Sequence, residues 1–189
     1  ENRYGAFYRL CLLTGMRRSE LSGLQWPNVD LVNGNISVVK TLQRVSGKGL
    51  VEGKPKTPRS RRSIKLDPDA VALFHEIRGR QISEQLSFGE AWRNTGYVFT
   101  EADGRPVDPN RYTRAFTAIV KATGLPHLTL HGLRHAHSTI MLVEGFNPKI
   151  VQERLGHATI ATTMDIYSHV LPGLQEQAAM AVAAKLSRK

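Results

Sequence analysis

Cysteine is nearly absent from this chain: Cys11 is the single one in 189 residues. That excludes an internal disulfide and a cysteine-built metal cluster. The apolar setting "RLCLLTG" makes Cys11 a small core residue rather than a catalytic thiol. Long hydrophobic runs are missing too. No stretch approaches the roughly 18 apolar residues a membrane span needs, and no signal-peptide pattern opens the chain. Negative charge is scarce: 16 acidic residues stand against 26 lysines and arginines, a net +10. Low-complexity tracts and internal repeats are likewise absent. With 41% hydrophobic residues, the chain reads as one globular domain with a real core, not as a disordered tail.

Positive charge is what the chain has in excess, and it is clustered. A compact domain this basic attracts polyanions, nucleic acid above all; the plainer alternative is scattered solvated charge. Elements follow from periodicity and punctuation. Phe7, Leu10 and Leu13 have helical spacing and Gly15 stops the helix. A second helix spans Arg17 to Leu24. Asn33-Gly34 marks a turn, and "NISVVK" is a strand from Ile36 to Lys40. "SGKGLVEGKPKTPRS" reads as a loop and "RSIKL" as the returning strand, giving a hairpin with a long basic tip.

Asp67-Pro68, Asp108-Pro109 and Asn147-Pro148 each pair a capping side chain with proline at the first helical position. They predict helices toward residue 86, to Ala122 and to Leu155. "YVFT" reads as a short strand. Further helices are predicted from His131 to Val143, after Thr159, and from Pro172, where Leu174, Ala178, Ala181 and Leu186 form an apolar stripe. The fold class is mainly α with a small antiparallel β-sheet. Because the chain opens on Glu1 already in a helical pattern, it reads as a piece of something longer.

"HGLRHAH" packs three histidines and one arginine into His131–His137. His131 and His135 share a helical face at a spacing zinc sites use, but the glutamate of the zinc-protease pattern is missing and Arg134 would sit beside the metal. An anion grip fits better: His131 and Arg134 project together, and arginine suits planar phosphate recognition. In "TGMRRSEL", Arg17 follows Gly15 at a helix start, where free backbone donors favour an anion, and Glu20 can brace it; taken alone, Arg17 is an ordinary surface residue. Lys48, Lys54, Lys56, Arg59, Arg61 and Arg62 crowd the hairpin tip. This is no P-loop, since Lys48 stands five before Gly53 and Pro55 follows Lys54. It is either a solvated basic loop or a phosphate-touching hairpin that delivers one lysine. His157 in "LGH" and Tyr167, ten residues later, complete the set. A lone tyrosine is usually a packing residue, and its pKa near 10 makes it a sluggish nucleophile unless activated.

The order Arg17, Lys56, His131-x-x-Arg134, His157, Tyr167 resembles the catalytic domain of the tyrosine recombinases, the phage-integrase family. The blocks "TGMRRSEL", "KPKTPRSRRSIKL", "HGLRHAH", "LGH" and "TTMDIYSHV" carry the resemblance from Thr14 to Val170, and the wording is most like integrases of phages and conjugative transposons. The resemblance implies the DNA breaking-rejoining catalytic fold and site-specific recombination through a 3′-phosphotyrosyl intermediate. Tyr167 would be the nucleophile, Arg17 and Arg134 the holders of the non-bridging oxygens, and Lys56 the donor to the leaving 5′-oxygen. His131 would take the tyrosine proton and His157 would hydrogen-bond the phosphate. No cofactor or metal is implied.

Lys48, Lys54, Arg59, Arg61 and Arg62 are expected on DNA, and His135 and His137 within the fold. Residues 1–171 would form the catalytic domain and 172–189 a tail helix packed in cis or exchanged between subunits. The family's DNA-clamping N-terminal domain would lie in a longer chain, so this piece alone should bind DNA weakly. Implied partners are double-stranded recombination sites, a homotetramer on DNA (a monomer when free), and accessory excision or DNA-bending proteins, all in the bacterial cytoplasm and away from membranes. A type IB topoisomerase, which shares the covalent step, a non-catalytic DNA-binding module and a histidine-metal nuclease are the competing classes.

Overall fold

The computed structural model describes residues 2–54, 61–124 and 126–170, with 179, 180, 182, 183 and 186 of the tail. Helix α1 (Gly5–Thr14) ends where Gly15 turns left-handed at φ 65°, and α2 (Arg18–Ser22) follows at once. Strands β1 (Val29–Asp30), β2 (Asn35–Val38) and β5 (Arg62–Lys65) form a three-stranded antiparallel sheet in the order β1-β2-β5. Ile36 lies opposite Ile64, so both strands send an isoleucine into the core, where both are fully buried.

The stretch between β2 and β5 is more than a loop. Thr41–Val45 (β3) and Gly49–Gly53 (β4) pair as a second antiparallel hairpin, with Thr41 opposite Gly53 and Val45 opposite Gly49. Its root is anchored: the Tyr97 hydroxyl donates to Glu52 at 2.5 Å and Lys40 pairs with Glu52 at 3.0 Å. "YVFT" is deeply buried but is no strand. Gln25 bridges Tyr97 and Thr100 bridges Pro106, each singly.

The three Asx-Pro signals hold. Asp67 accepts from the Ala70 amide to start α3 (Pro68–Phe88), and Asp108 accepts from Asn110 to start α4 (Pro109–Ala122). Asn147 accepts from Lys149 to start α6 (Pro148–Leu155). Thr129 caps α5 (Leu130–Val143), and α7 (Ala161–Val170) closes the described fold. Among the described residues no helix is long and apolar enough to cross a membrane.

Among the described residues, two cores hold these elements. In the larger, Phe7 of α1 stacks on Tyr112 of α4 with ring centroids 3.7 Å apart, and Phe99 meets Phe7 edge-on. Leu10, Leu21, Ile36, Leu73 and Phe74 fill the space around them. Each such side chain contributes about 1.5–3 kcal/mol by leaving water. Cys11 lies in this core, and burial lifts its thiol pKa to about 12, so it is an apolar filler. The smaller core joins Leu142, Val151 and Leu155, with Ile166 and Tyr167 of α7 packed against it. The candidate site lies where the two cores meet, at the α1–α2 turn, the start of α5 and the end of α6.

Candidate functional site

A cleft of about 650 Å³ is lined by Arg17, Glu20, Lys54, His131, Arg134, Gly156 and Ala158, among others. Three elements distant in sequence therefore contribute cations to one place. Arg134 is 4% exposed, and two backbone carbonyls fix its guanidinium. Nη1 donates to Gly15 at 2.6 Å and Nη2 to Leu155 at 2.8 Å. Arginine has five N–H donors, so this clamp leaves capacity for an anion. Burial first, and then the charge of Arg17, push the Arg134 pKa down. A bound anion would offset both by favouring the charged guanidinium.

Arg17 stands at the start of α2 and is held from below. Its amide donates to Glu20 Oε2 at 2.9 Å and its Nη1 to Glu20 Oε1 at 2.7 Å. The amide bond is the reciprocal half of a capping box. Nη2 reaches the Gly156 carbonyl at 3.2 Å. Burial works to raise the Glu20 pKa, but hydrogen bonds and charge from Arg62 and Arg17 outweigh it, so this buried carboxyl stays below its usual range.

Two glycines make the approach of these elements feasible. A Cβ on Gly15 would sit 2.6 Å from Leu155 and 2.7 Å from His137; one on Gly156, at φ 67°, would sit 2.9 Å from Arg62. Both positions combine left-handed backbone with contact too close for a side chain.

The histidines divide by environment. His131 is exposed on the first turn of α5, and its ring meets that of His135 edge-on at 4.7 Å. Burial, then the charges of His135, Arg134 and Arg17, lower its pKa. His157 is half-buried, with Nδ1 2.9 Å from the Thr163 hydroxyl. Burial, then Arg134 and Arg17, bring its pKa down to about 4. His137 is structural, as expected. Nδ1 lies 2.8 Å from the Leu12 carbonyl, and Nε2 accepts from Arg154 Nε at 3.2 Å. The ring is therefore neutral, with its proton on Nδ1. His135 departs from expectation: it is exposed rather than hydrogen-bonded inside the fold.

Tyr167 is half-buried against the smaller core and is not among the residues lining the cleft. Of the hairpin cations, Lys48 and Arg61 are exposed and Lys54 lines the cleft. Lys56 and Arg59 lie outside the described residues. Arg62 is a correction. Expected on DNA, its side chain is 6% exposed, with Nη2 3.0 Å from Glu20 Oε2 and Nε donating to the Arg154 carbonyl at 2.6 Å. A buried carboxylate captured this guanidinium.

Arg18, Arg44 and Arg114 were not singled out from sequence. They line an adjoining depression of about 460 Å³ that shares Arg18 and Thr113 with the cleft. Arg114 follows Asn110 by one helical turn on α4, a spacing that could have marked it.

Fold and cleft together define a class: a mostly helical α+β domain in which paired arginines from separate elements floor a cationic cleft. The chain belongs to the phage integrase family, whose model matches residues 1–173. A XerC-like tyrosine recombinase of Caldanaerobacter subterraneus subsp. tengcongensis is 32% identical over 182 residues, covering 90% of this chain and 46% of that protein. The ICEBs1 integrase of Bacillus subtilis is 29% identical over 178 residues, with 93% and 47% covered.

The Tn1549 transposon integrase, solved with transposon right end DNA, superposes with a TM-score of 0.80 at 28% identity over 96% of this chain and 59% of that one. XerA recombinase gives 0.69 at 26% identity, with 95% and 58% covered. The fold is that of the tyrosine recombinase catalytic domain. The chain spans about half the length of the curated relatives it matches.

Proposed function

We propose that this chain is the catalytic part of a site-specific DNA recombinase that integrates or excises a mobile element. The observation that carries the reading is the pair Arg17 and Arg134, brought from two helices to one cleft and held there by carbonyl oxygens and Glu20. Such pre-set donors act most strongly where charge builds during reaction, here on the non-bridging oxygens of a five-coordinate phosphorus. Loss of either arginine should lower the cleavage rate roughly 10³-fold, by analogy with arginine fingers.

The reaction balances without metal or nucleotide. The Tyr167 phenol oxygen bonds to phosphorus as the bond to the 5′-oxygen breaks. His131 takes the phenol proton and Lys56 gives one to the departing 5′-oxygen. His157, its Nδ1 edge engaged by Thr163, offers Nε2 to the phosphate. The phosphotyrosine conserves the bond energy, and the 5′-hydroxyl of a partner strand reverses the step. Two such exchanges pass through a four-way junction.

Residues 1–171 supply this chemistry, and 172–189 form a tail that packs in cis or on a neighbouring subunit. Lys48, Lys54, Arg59 and Arg61 meet the DNA backbone. The working assembly is a homotetramer on double-stranded sites, built from free monomers and aided by accessory excision or DNA-bending proteins in the bacterial cytoplasm.

Covalent capture tests the reading. The protein and its Tyr167→Phe variant are mixed with nicked genomic fragments, so that escape of a short strand traps the adduct. Protein-linked DNA is then recovered and sequenced. Adducts from the unaltered protein alone, at one recurring sequence and in the presence of chelator, are expected. Equal background from both proteins, with DNA binding intact, would leave a DNA-binding module. Relaxation of supercoils with no preferred sequence would mark a topoisomerase.

A further inference from the structure

Arg62 stands at the start of β5 yet reaches into two other parts of the site. Its Nη1 and Nη2 lie 3.2 and 3.0 Å from the two oxygens of Glu20. Its Nε donates to the carbonyl of Arg154, two residues before Gly156. It also packs against Gly156, where an added Cβ would strike its Nη1 at 2.9 Å. Glu20 is the group that braces Arg17, through the same two oxygens. One carboxylate is therefore shared by two guanidiniums, one facing the cleft and one buried.

Charge decides what this sharing does. Glu20 is 2% exposed and ionised. Paired with Arg17 alone, it would cancel the charge that Arg17 brings to the cleft and draw the guanidinium down onto itself. With Arg62 also bound, the triplet keeps one net positive charge. Each Glu20 oxygen is then divided between two donors, Arg17 at 2.7 and 2.9 Å and Arg62 at 3.2 and 3.0 Å, so the carboxylate's charge is shared rather than spent on Arg17 alone.

We infer that Arg62 is a positioning residue for Arg17: by engaging Glu20 from the buried side, it keeps the cluster's net charge positive and leaves the Arg17 guanidinium available to a phosphate. This deepens the reading of Arg17 as a phosphate ligand and rests on it. Arg62 itself touches no DNA.

Charge compensation separates this role from a merely structural one. Arg62→Met removes the buried charge and brings the triplet to zero. Adding Glu20→Gln to it restores the net charge to that of Arg17 alone. Replacing both members of a buried ion pair is usually well tolerated, whereas removing one is not. Both variants lose the bond to the Arg154 carbonyl equally, so the difference between them reads the charge.

On the substrate recovered by covalent capture, Arg62→Met should form phosphotyrosyl product ~10²-fold more slowly at saturating DNA, a loss of the size seen when one pre-set donor is removed. Its DNA affinity should change less than about threefold, since one phosphate contact is a small part of the backbone total. The double variant should recover at least about tenfold of the lost rate, as expected for a cleft charge restored at low dielectric. Equal rates for the single and double variants, both folded by thermal melting, would overturn the inference, as would an undiminished rate in Arg62→Met.

If even the unaltered protein forms no covalent product, the recombinase reading fails separately. The inference is then decided by inorganic phosphate, titrated against the guanidinium NMR signals of Arg17. Weaker binding in Arg62→Met and recovery in the double variant support it. Identical titrations in all three proteins reject it.

Discussion

His131 shows how a single residue's surroundings set its chemistry. Burial and the nearby charges of His135, Arg134 and Arg17 hold its pKa below the usual 6.5. It is therefore neutral at pH 7 and able to take a proton from Tyr167. The sign follows directly. A lowered pKa preserves the base down to a pH below 6.5, and acid beyond that removes it. The second-order cleavage constant, which reports the free protein, should fall on the acid side with its midpoint below pH 6.5. At saturating DNA the phosphate's negative charge raises the pKa, so the acid limb should move to higher pH. Single-turnover rates across pH 5–8 measure both limbs. An acid limb that His131→Gln leaves in place would assign the base elsewhere.

At this scale the sequence was informative where spacing is local. His131 and Arg134 sit on one turn, and Glu20 follows Arg17 by three residues. It was misleading for Arg62, whose neighbours Arg59 and Arg61 suggest a surface stripe while its partner Glu20 lies 42 residues away. No local pattern encodes a pairing across that distance.

Among the elements, the end of α6 carries the most consequence, because Gly156 stops the helix, accepts Arg17 and passes Arg62. Gly156→Ala should cost about 1–2 kcal/mol from left-handed strain, and more because Arg62 must shift. Gly145 is the matched control. It has φ 80°, and nothing lies within 4 Å of an added Cβ. Gly145→Ala should lower Tm by roughly 2–8 °C, at about 2–4 °C per kcal/mol for a chain this size. Gly156→Ala should lower it further, and it alone should slow cleavage. Equal melting shifts with equal cleavage rates would show that the contact with Arg62 is dispensable.

Helix boundaries were legible because the caps are chemical: an Asx side chain accepts an amide at the start of α3, α4 and α6. The β3–β4 hairpin was not. Gly47, Gly49 and Gly53 read as loop composition, and most of β3 beyond Leu42 is exposed, so little apolar alternation survives. "YVFT" failed in the opposite sense. Its burial was evident from its apolar residues, but strand pairing depends on a neighbour that sequence alone does not supply.

Across the whole molecule, the charge excess matters through its placement. Arg17, Lys54 and Arg134 line the cleft, and Arg44 and Arg114 continue its cationic lining beyond Arg18. Arg44 is tied to Asp108 at 3.3 Å, but its side chain is half exposed, and surface pairs of this kind are weak enough to exchange for a phosphate. Arg78 differs: its guanidinium lies 4.6 Å over the Trp26 ring, beside a separate cavity. Each arginine that neutralises a DNA phosphate releases counterions, contributing about 0.9 to the slope of log K against log salt. Arg114→Gln and Arg44→Gln should therefore each flatten that slope by about 0.9, and Arg78→Gln should leave it unchanged. Fluorescence anisotropy on one duplex between 50 and 200 mM salt measures all three. Equal flattening by all three would mean that net charge alone, rather than a track leading from the cleft, draws the DNA.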